Sequence, residues 1–176
     1  MRNNTKKIAL TAMFAALAMA LSLLESIVTA GMDFAIPGVK LGLANAAVLF
    51  ALMYVGGGFA VFVALVKAFS TFLLSGSVTV LWFSLAGSLV SVLGMWAAHR
   101  FLKRFLSPVG VSILGGVLHN WTQAAVMILI SSTPSYLYYV PVLTLSGIAS
   151  GIITGVVAAL VLEKFKPAGH PKMKET

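Results

Sequence analysis

The chain has 176 residues, 60% of them apolar and only 9% charged, whereas about a quarter of an ordinary soluble domain is charged, so a water-soluble globular fold is excluded and a bilayer is the expected solvent. Lysine and arginine number 12 against 4 acids, a formal charge of +8, yet the bases sit at the ends of apolar runs and form no basic stripe with interleaved aromatics, which argues against a nucleic-acid-binding surface. With no cysteine, there is no disulfide framework, thiolate metal site or redox dithiol.

Six apolar runs approach the length of a membrane-spanning helix, roughly 17 to 25 residues: 8–29, 41–55, 59–74, 79–98, 109–130 and 137–162. Backbone amides cannot be left bare in lipid, and the alternation of a barrel is absent, so the predicted fold is an all-α bundle of six transmembrane helices. The second and third runs are short and are separated by Gly56, Gly57 and Gly58, which predicts a tight helical hairpin. Further turn residues separate the other runs: Gly31 to Gly38 with Pro37, Ser75 to Ser77, Ser107 with Pro108, and Ser131 to Ser135 with Pro134. Residues 1–165 are expected to form this one domain, and the polar tail 166–176, which includes His170, to be disordered.

Orientation is read from the bases. Arg2, Lys6 and Lys7 precede the first run, Arg100, Lys103 and Arg104 follow the fourth, and Lys164, Lys166, Lys172 and Lys174 follow the sixth. Six spans place all of these on one side, which makes that side and both termini cytoplasmic; the expected location is the cytoplasmic membrane of a prokaryote, as a multi-pass protein. The first apolar run is too long for a signal-peptide core, so cleavage after "VTA" at Val28 to Ala30 is not expected.

In chain order, the first helix carries Ala12, Ala16 and Ala20 at intervals of four, a smooth face that serves either internal packing or the docking of another subunit. Near its far end is Glu25, expected about 14 Å above Lys67 and therefore in a separate outer layer. That layer holds "AIPGVKLGLAN", residues 35–45, with Lys40 at the membrane surface and Asn45 about one turn into the second run. Glu25 and Asn45 either anchor this loop to each other or frame an opening.

Lys67 is the one cation expected within a span. Insertion scales charge about 2.5 to 3.5 kcal/mol for such a residue at the bilayer centre, so it should face a cavity, partner or ligand unless its stem carries the head to the interface. In the fifth run, His119 and Gln123 share a helix face, with Asn120 beside it. His119 and Lys67 are expected in one layer near mid-depth, as packing residues or as polar contacts for a solute. Trp82 and the run Tyr136, Tyr138 and Tyr139 are expected in an interfacial aromatic belt. In the sixth run Gly147, Gly151 and Gly155 repeat every four residues, which predicts close helix packing.

Several chemistries lack their residues. There is no GxxxxGK[ST] loop and no HExxH, and Asp33 is the single aspartate, so ATP hydrolysis by that loop and paired magnesium sites for diphosphate chemistry are not expected. "SGSV" at residues 75–78 is too ordinary a turn to indicate a serine nucleophile. No enzyme activity, cofactor or metal is expected.

"LLES" at 23–26, "PGVKLGLAN" at 37–45, "VKAFSTFLLSG" at 66–76, "HN" at 119–120 and "YYVPVLTLSG" at 138–147 resemble the Gx transporter family, also labelled heptaprenyl diphosphate synthase component I. That family is similar to the substrate-binding S components of energy-coupling factor (ECF) transporters. The resemblance implies capture of a small vitamin-like solute from outside, with a coupling subunit docked on the alanine face of the first helix and a pair of ATPases supplying energy. Ala12, Ala16 and Ala20 match that docking pattern. Lys67, His119, Asn120, Gln123, Asn45, Lys40 and Glu25 are the expected solute contacts. The synthase label implies prenyl-chain elongation, against which the lack of clustered aspartates argues; a noncatalytic accessory role and a small homodimeric carrier remain alternatives.

Overall fold

A computed structural model describes residues 2–29, 42–102 and 104–164. Helix α1 runs Arg2–Thr29, α2 Leu43–Tyr54, α3 Gly57–Ser75, α4 Val78–Phe101 and α5 Pro108–Ser131; a 3₁₀ helix, Pro134–Tyr139, leads into α6, Val140–Lys164. Lys40 and the rest of the loop 30–41, Lys103, and the tail expected to be disordered lie outside the described residues.

Among the described residues there are six α-helices, as expected, but one of them is shorter than a span. Five helices are long and apolar enough to cross a membrane, the last including the 3₁₀ segment. The exception, α2, has 12 residues and at 1.5 Å per residue extends about 18 Å, well short of a ~30 Å hydrocarbon core. Two glycines set its length. Gly42 precedes it at φ 68° and Gly56 follows it at φ 124° and ψ 170°, conformations open to glycine but strained for residues with a Cβ.

The helices alternate in direction. Phe14 of α1 stacks on Phe50 of α2, ring centroids 6.1 Å apart, while Glu25, further along α1, meets Gly42 at the start of α2. The long helices pack in the order α1, α3, α4, α5, α6 around α2; α1 and α6 do not pack directly among the described residues, and α2 lies between them. This explains why α2 is apolar on nearly every side, Asn45 apart: Ala44, Ala46, Ala47, Val48, Leu49, Phe50, Ala51 and Leu52 are all buried.

Lys6, Lys7, Arg100 and Arg104 fall at the end of the bundle where α1 begins and α4 ends, here called the basic end. Beside it, Gly57 lies against the Trp96 indole so closely that a Cβ would overlap the ring. The large side chains exposed along the helices, such as Leu24, Phe62, Phe69, Leu93, Leu145 and Leu160, are apolar. A surface of this kind over five helices of spanning length makes the chain a multi-pass helical membrane protein.

The glycine row of α6 packs internally. A Cβ on Gly147 would lie 2.9 Å from the Gly116 backbone, one on Gly151 2.5 Å from Ile113 Cα, and one on Gly155 2.7 Å from Val109 Cα. The close approach lets polar groups bridge the two helices: Ser112 and Thr154 hydroxyls are 2.7 Å apart, and Trp121 donates to Thr144 at 2.7 Å. The alanine row behaves differently. On α1 the buried stripe is Thr11, Phe14, Ala15, Ala18, Ser22 and Glu25, whereas Ala12, Ala16 and Ala20 are exposed on the other side.

A polar-floored cavity as the candidate functional site

The short α2 positions the site. Its last residue, Tyr54, turns directly into α3 at Gly57, so the two helices start level at the basic end. Asn45 then stands about 14 Å up α2 and Lys67 about 15 Å up α3, and the same arithmetic from Pro108 puts His119 about 17 Å up α5. Asn45 therefore belongs to mid-depth rather than to the outer rim assigned to it from the sequence. The displacement follows from a helix that begins halfway through the bundle.

Above α2 the interior is hollow. A cavity of about 760 Å³ is lined from α1 by Ser22 and Glu25, from the start of α2 by Gly42 and Asn45, from α3 by Lys67 and Thr71, from α4 by Phe83 and Ser84, and from α5 by His119, Asn120 and Gln123. Tyr136 and Tyr139 of the 3₁₀ helix and Leu143 and Ser150 of α6 complete it. Beneath lies an apolar layer in which Val48, Leu49, Val63, Val92 and Met95 are almost wholly buried. A smaller hollow of about 340 Å³ at the basic end touches Tyr54, Trp96 and Arg100.

Lys67 is 7% exposed, and its Nζ donates to Asn45 Oδ1 at 2.6 Å. The head is thus held inside by an amide acceptor rather than carried to an interface. Glu25, 6% exposed, accepts from the Gly42 backbone N–H at 2.5 Å. Gly42 has no side chain with which to cap α2, so a carboxylate from α1 serves instead, and its charge lies against the positive end of the α2 dipole. Gly42 and Asn45 are three residues apart, which brings the carboxylate and ammonium to within about one turn in depth. The expected 14 Å separation of two layers is thereby replaced by one polar floor.

His119 and Asn120 are 6% and 5% exposed. Asn120 Nδ2 donates to the Leu143 carbonyl at 2.8 Å, fixing which way the amide faces. His119 rests on Gly87 of α4: a Cβ there would lie 2.9 Å from imidazole Nδ1 and Cε1. Gly87→Ala is accordingly expected to displace the imidazole from its place on the cavity wall. The helix-propensity gain of about 1 kcal/mol for Gly to Ala limits the loss of stability. Parallel NMR of the His119 ring signals and thermal-unfolding measurements check this; unshifted ring signals would show that the imidazole is not held against Gly87.

Of the residues singled out from the sequence, Glu25, Asn45, Lys67, His119, Asn120 and Gln123 line one cavity, Lys40 is outside the described residues, and Ala12, Ala16 and Ala20 face away. Sequence reasoning missed Ser22, Thr71, Phe83, Ser84, Gly87 and Ser150. A signal for part of this set exists in Ser84, Ser88 and Ser91, a buried polar row at helical spacing on an otherwise apolar α4. It also placed Tyr136 and Tyr139 in an aromatic belt. Positions three apart eclipse in a 3₁₀ helix, so both reach the cavity, with ring centroids 6.2 Å apart, while Tyr138 is 86% exposed. Among the described residues no three His, Cys, Asp or Glu side chains converge as a metal site would require.

The fold and the cavity define a class: a multi-pass helical membrane protein with a polar-floored hollow at mid-depth. Within that class the chain belongs to the heptaprenyl diphosphate synthase component I family, whose family model matches residues 14–161. The match takes in every helix from the second half of α1 almost to the end of α6, and hence all the cavity residues named above. No curated protein and no solved structure matches the chain.

Proposed function

We propose that the protein is a noncatalytic solute-capturing membrane component of the ECF S-component type, with the basic end cytoplasmic and the cavity opening to the outside. The observation that carries this reading is the buried Lys67 ammonium, held by Asn45 on the floor of a 760 Å³ cavity. A cation is retained at mid-depth only against a substantial insertion cost, and intramembrane ionisable residues characteristically mark solute pathways. A hollow of this size, mostly apolar with a few convergent polar groups, has the build of a small-molecule site.

The exposed row Ala12, Ala16 and Ala20 supports the partner half of the reading. Small residues let a second membrane helix come close, and the row lies on the side of α1 opposite Glu25, where a coupling subunit with its ATPase pair could dock without closing the cavity. Ala16→Trp is expected to abolish co-purification of the coupling subunit and ATPases while leaving solute affinity of the isolated chain within about twofold. Equal recovery of the complex with the tryptophan in place would reject this docking face.

The family description favours a second reading, a noncatalytic partner in heptaprenyl diphosphate synthesis. Purification in mild detergent, with identification of co-purifying proteins and small molecules, separates the two. A stoichiometric small molecule together with an ATPase-bearing membrane complex supports capture. A prenyl synthase subunit, with turnover that depends on this chain and no retained small molecule, supports the second.

A further inference from the structure

We infer, resting on the capture reading, that Ser22, Ser84 and Gln123 select the solute, and that the group they select is uncharged and carries a hydrogen-bond donor and acceptor side by side, as on the edge of a carboxamide, lactam or imide. Lys67 and Glu25 do not decide this point, because each already has a protein partner, in Asn45 and in the Gly42 amide. The deciding groups are polar side chains on the cavity that the protein leaves unsatisfied.

Ser22 and Ser84 are 7% and 4% exposed, and both line the cavity. On α1, Thr11 and Ser26 donate to backbone carbonyls of their own helix. The Ser22 hydroxyl makes no hydrogen bond among the described residues, and neither does that of Ser84. Buried hydroxyls are ordinarily satisfied, so two unsatisfied ones on a single hollow mark the place of an occupant. Gln123 is the third such group. Its stem passes Gly87, where a Cβ would lie 3.2 Å from Gln123 Cγ, and its carboxamide also lacks a partner among the described residues. Ser84 stands about one turn outward from Gly87, as Gln123 does from His119. Hydroxyl and carboxamide therefore flank one part of the wall, where α4 meets α5.

The inventory of these groups names their complement. A carboxamide presents N–H donors beside a carbonyl acceptor, and a hydroxyl both donates and accepts. A carboxylate offers acceptors alone and an ammonium donors alone, so either would leave part of the Gln123 amide facing an unmatched group, at the desolvation cost of a buried polar atom. A lone hydroxyl meets one side of the amide edge at a time. A polyhydroxylated solute would turn its remaining hydroxyls onto Phe83 and Met127 in the same cavity, again without partners. An amide edge satisfies donor and acceptor together and leaves an apolar body to lie against those two side chains.

The test uses the full chain in detergent with 6-phenylhexanamide as the probe, against N,N-dimethyl-6-phenylhexanamide, 6-phenylhexanoate, 6-phenylhexylamine and 6-phenylhexan-1-ol, read by calorimetry. The primary amide is expected to bind saturably and about tenfold or more tighter than the other four. Gln123→Met, Ser84→Ala and Ser22→Ala, made separately and checked by thermal unfolding, are each expected to erase most of that advantage, a change in selectivity that a merely structural role would not produce. Equal binding of any of the four competitors, no saturable binding of the amide, or undiminished selectivity in the folded variants overturns the inference. The capture reading is judged separately, by mass spectrometry of whatever the purified protein releases on denaturation. A stoichiometric compound with no amide-type edge leaves capture standing and removes the proposed class; no compound at all removes capture and the inference that rests on it.

Discussion

Replacing Lys67 with methionine is expected to lower affinity for the retained solute by roughly 10- to 100-fold while the protein still inserts and folds. A hydrogen bond to a charged group contributes about 1.5 to 3 kcal/mol, and each 1.4 kcal/mol is a factor of ten in a dissociation constant. Methionine has nearly the length of the lysine stem and no charge, so the wall of the cavity is kept and the cation is lost. Folding should not suffer in proportion. The substitution breaks the bond from Lys67 to Asn45 and so costs some stability, in part offset because an ammonium no longer has to be desolvated. Calorimetric titration beside thermal unfolding separates the two effects. A variant that unfolds readily yet binds normally when folded would mark Lys67 as a structural residue and take away the chief support for capture.

Gly151→Leu is expected to have the largest effect on stability, a loss of about 1 to 3 kcal/mol or more. The new Cβ would lie 2.5 Å from Ile113 Cα and 2.9 Å from the Ser112 carbonyl oxygen, and backbone cannot swing aside as a side chain does. The two helices would have to part, which breaks the bridge between Ser112 and Thr154 and strains the bond from Asn120 to the Leu143 carbonyl. Because α5 also carries His119 and Gln123, solute binding should fall with stability. The neighbouring Ile152→Leu is the control: Ile152 is exposed, and lipid should accept either side chain. If Gly151→Leu melted with the parent, α5 and α6 would not be as tightly apposed as described.

What could be read from the sequence follows a physical division. Helices were legible because hydrocarbon leaves the backbone few options, and the bounds of five helices lie within a few residues of the apolar runs, apart from additional turns at the start of α1. The shortness of α2 was legible, but its depth was not. Its run of 15 apolar residues continues through Leu41 and Gly42, and only the left-handed conformation at Gly42 shows where the helix begins. Counted down from the outer face, Asn45 is near the rim; counted up from the turn at Gly56, it stands about 14 Å high, and this change of reference, not the two-residue shift of the helix start, joins two supposed layers into one polar floor. Lys67, His119, Asn120 and Gln123 stood out because polarity is conspicuous in an apolar background. Ser22 and Ser150 did not, since serine is common in membrane helices and only three-dimensional convergence distinguishes these two. Gly87 could not be found at all, because its role is to leave room for a histidine 32 positions away.

The half-length of α2 also makes the molecule unequal along its axis. Below mid-depth the interior is closed by a packed layer of Leu49, Val63, Val92 and Met95, with the small hollow beside Tyr54 and Trp96 beyond it, and the other half is a well. A molecule that settles at the bottom meets a stopper of close-packed hydrocarbon and can leave only the way it came, unless the stopper itself is dislodged. On the capture reading proposed for it, the chain alone and at rest is a receptacle rather than a conduit, and passage to the opposite side would require work done on it from outside.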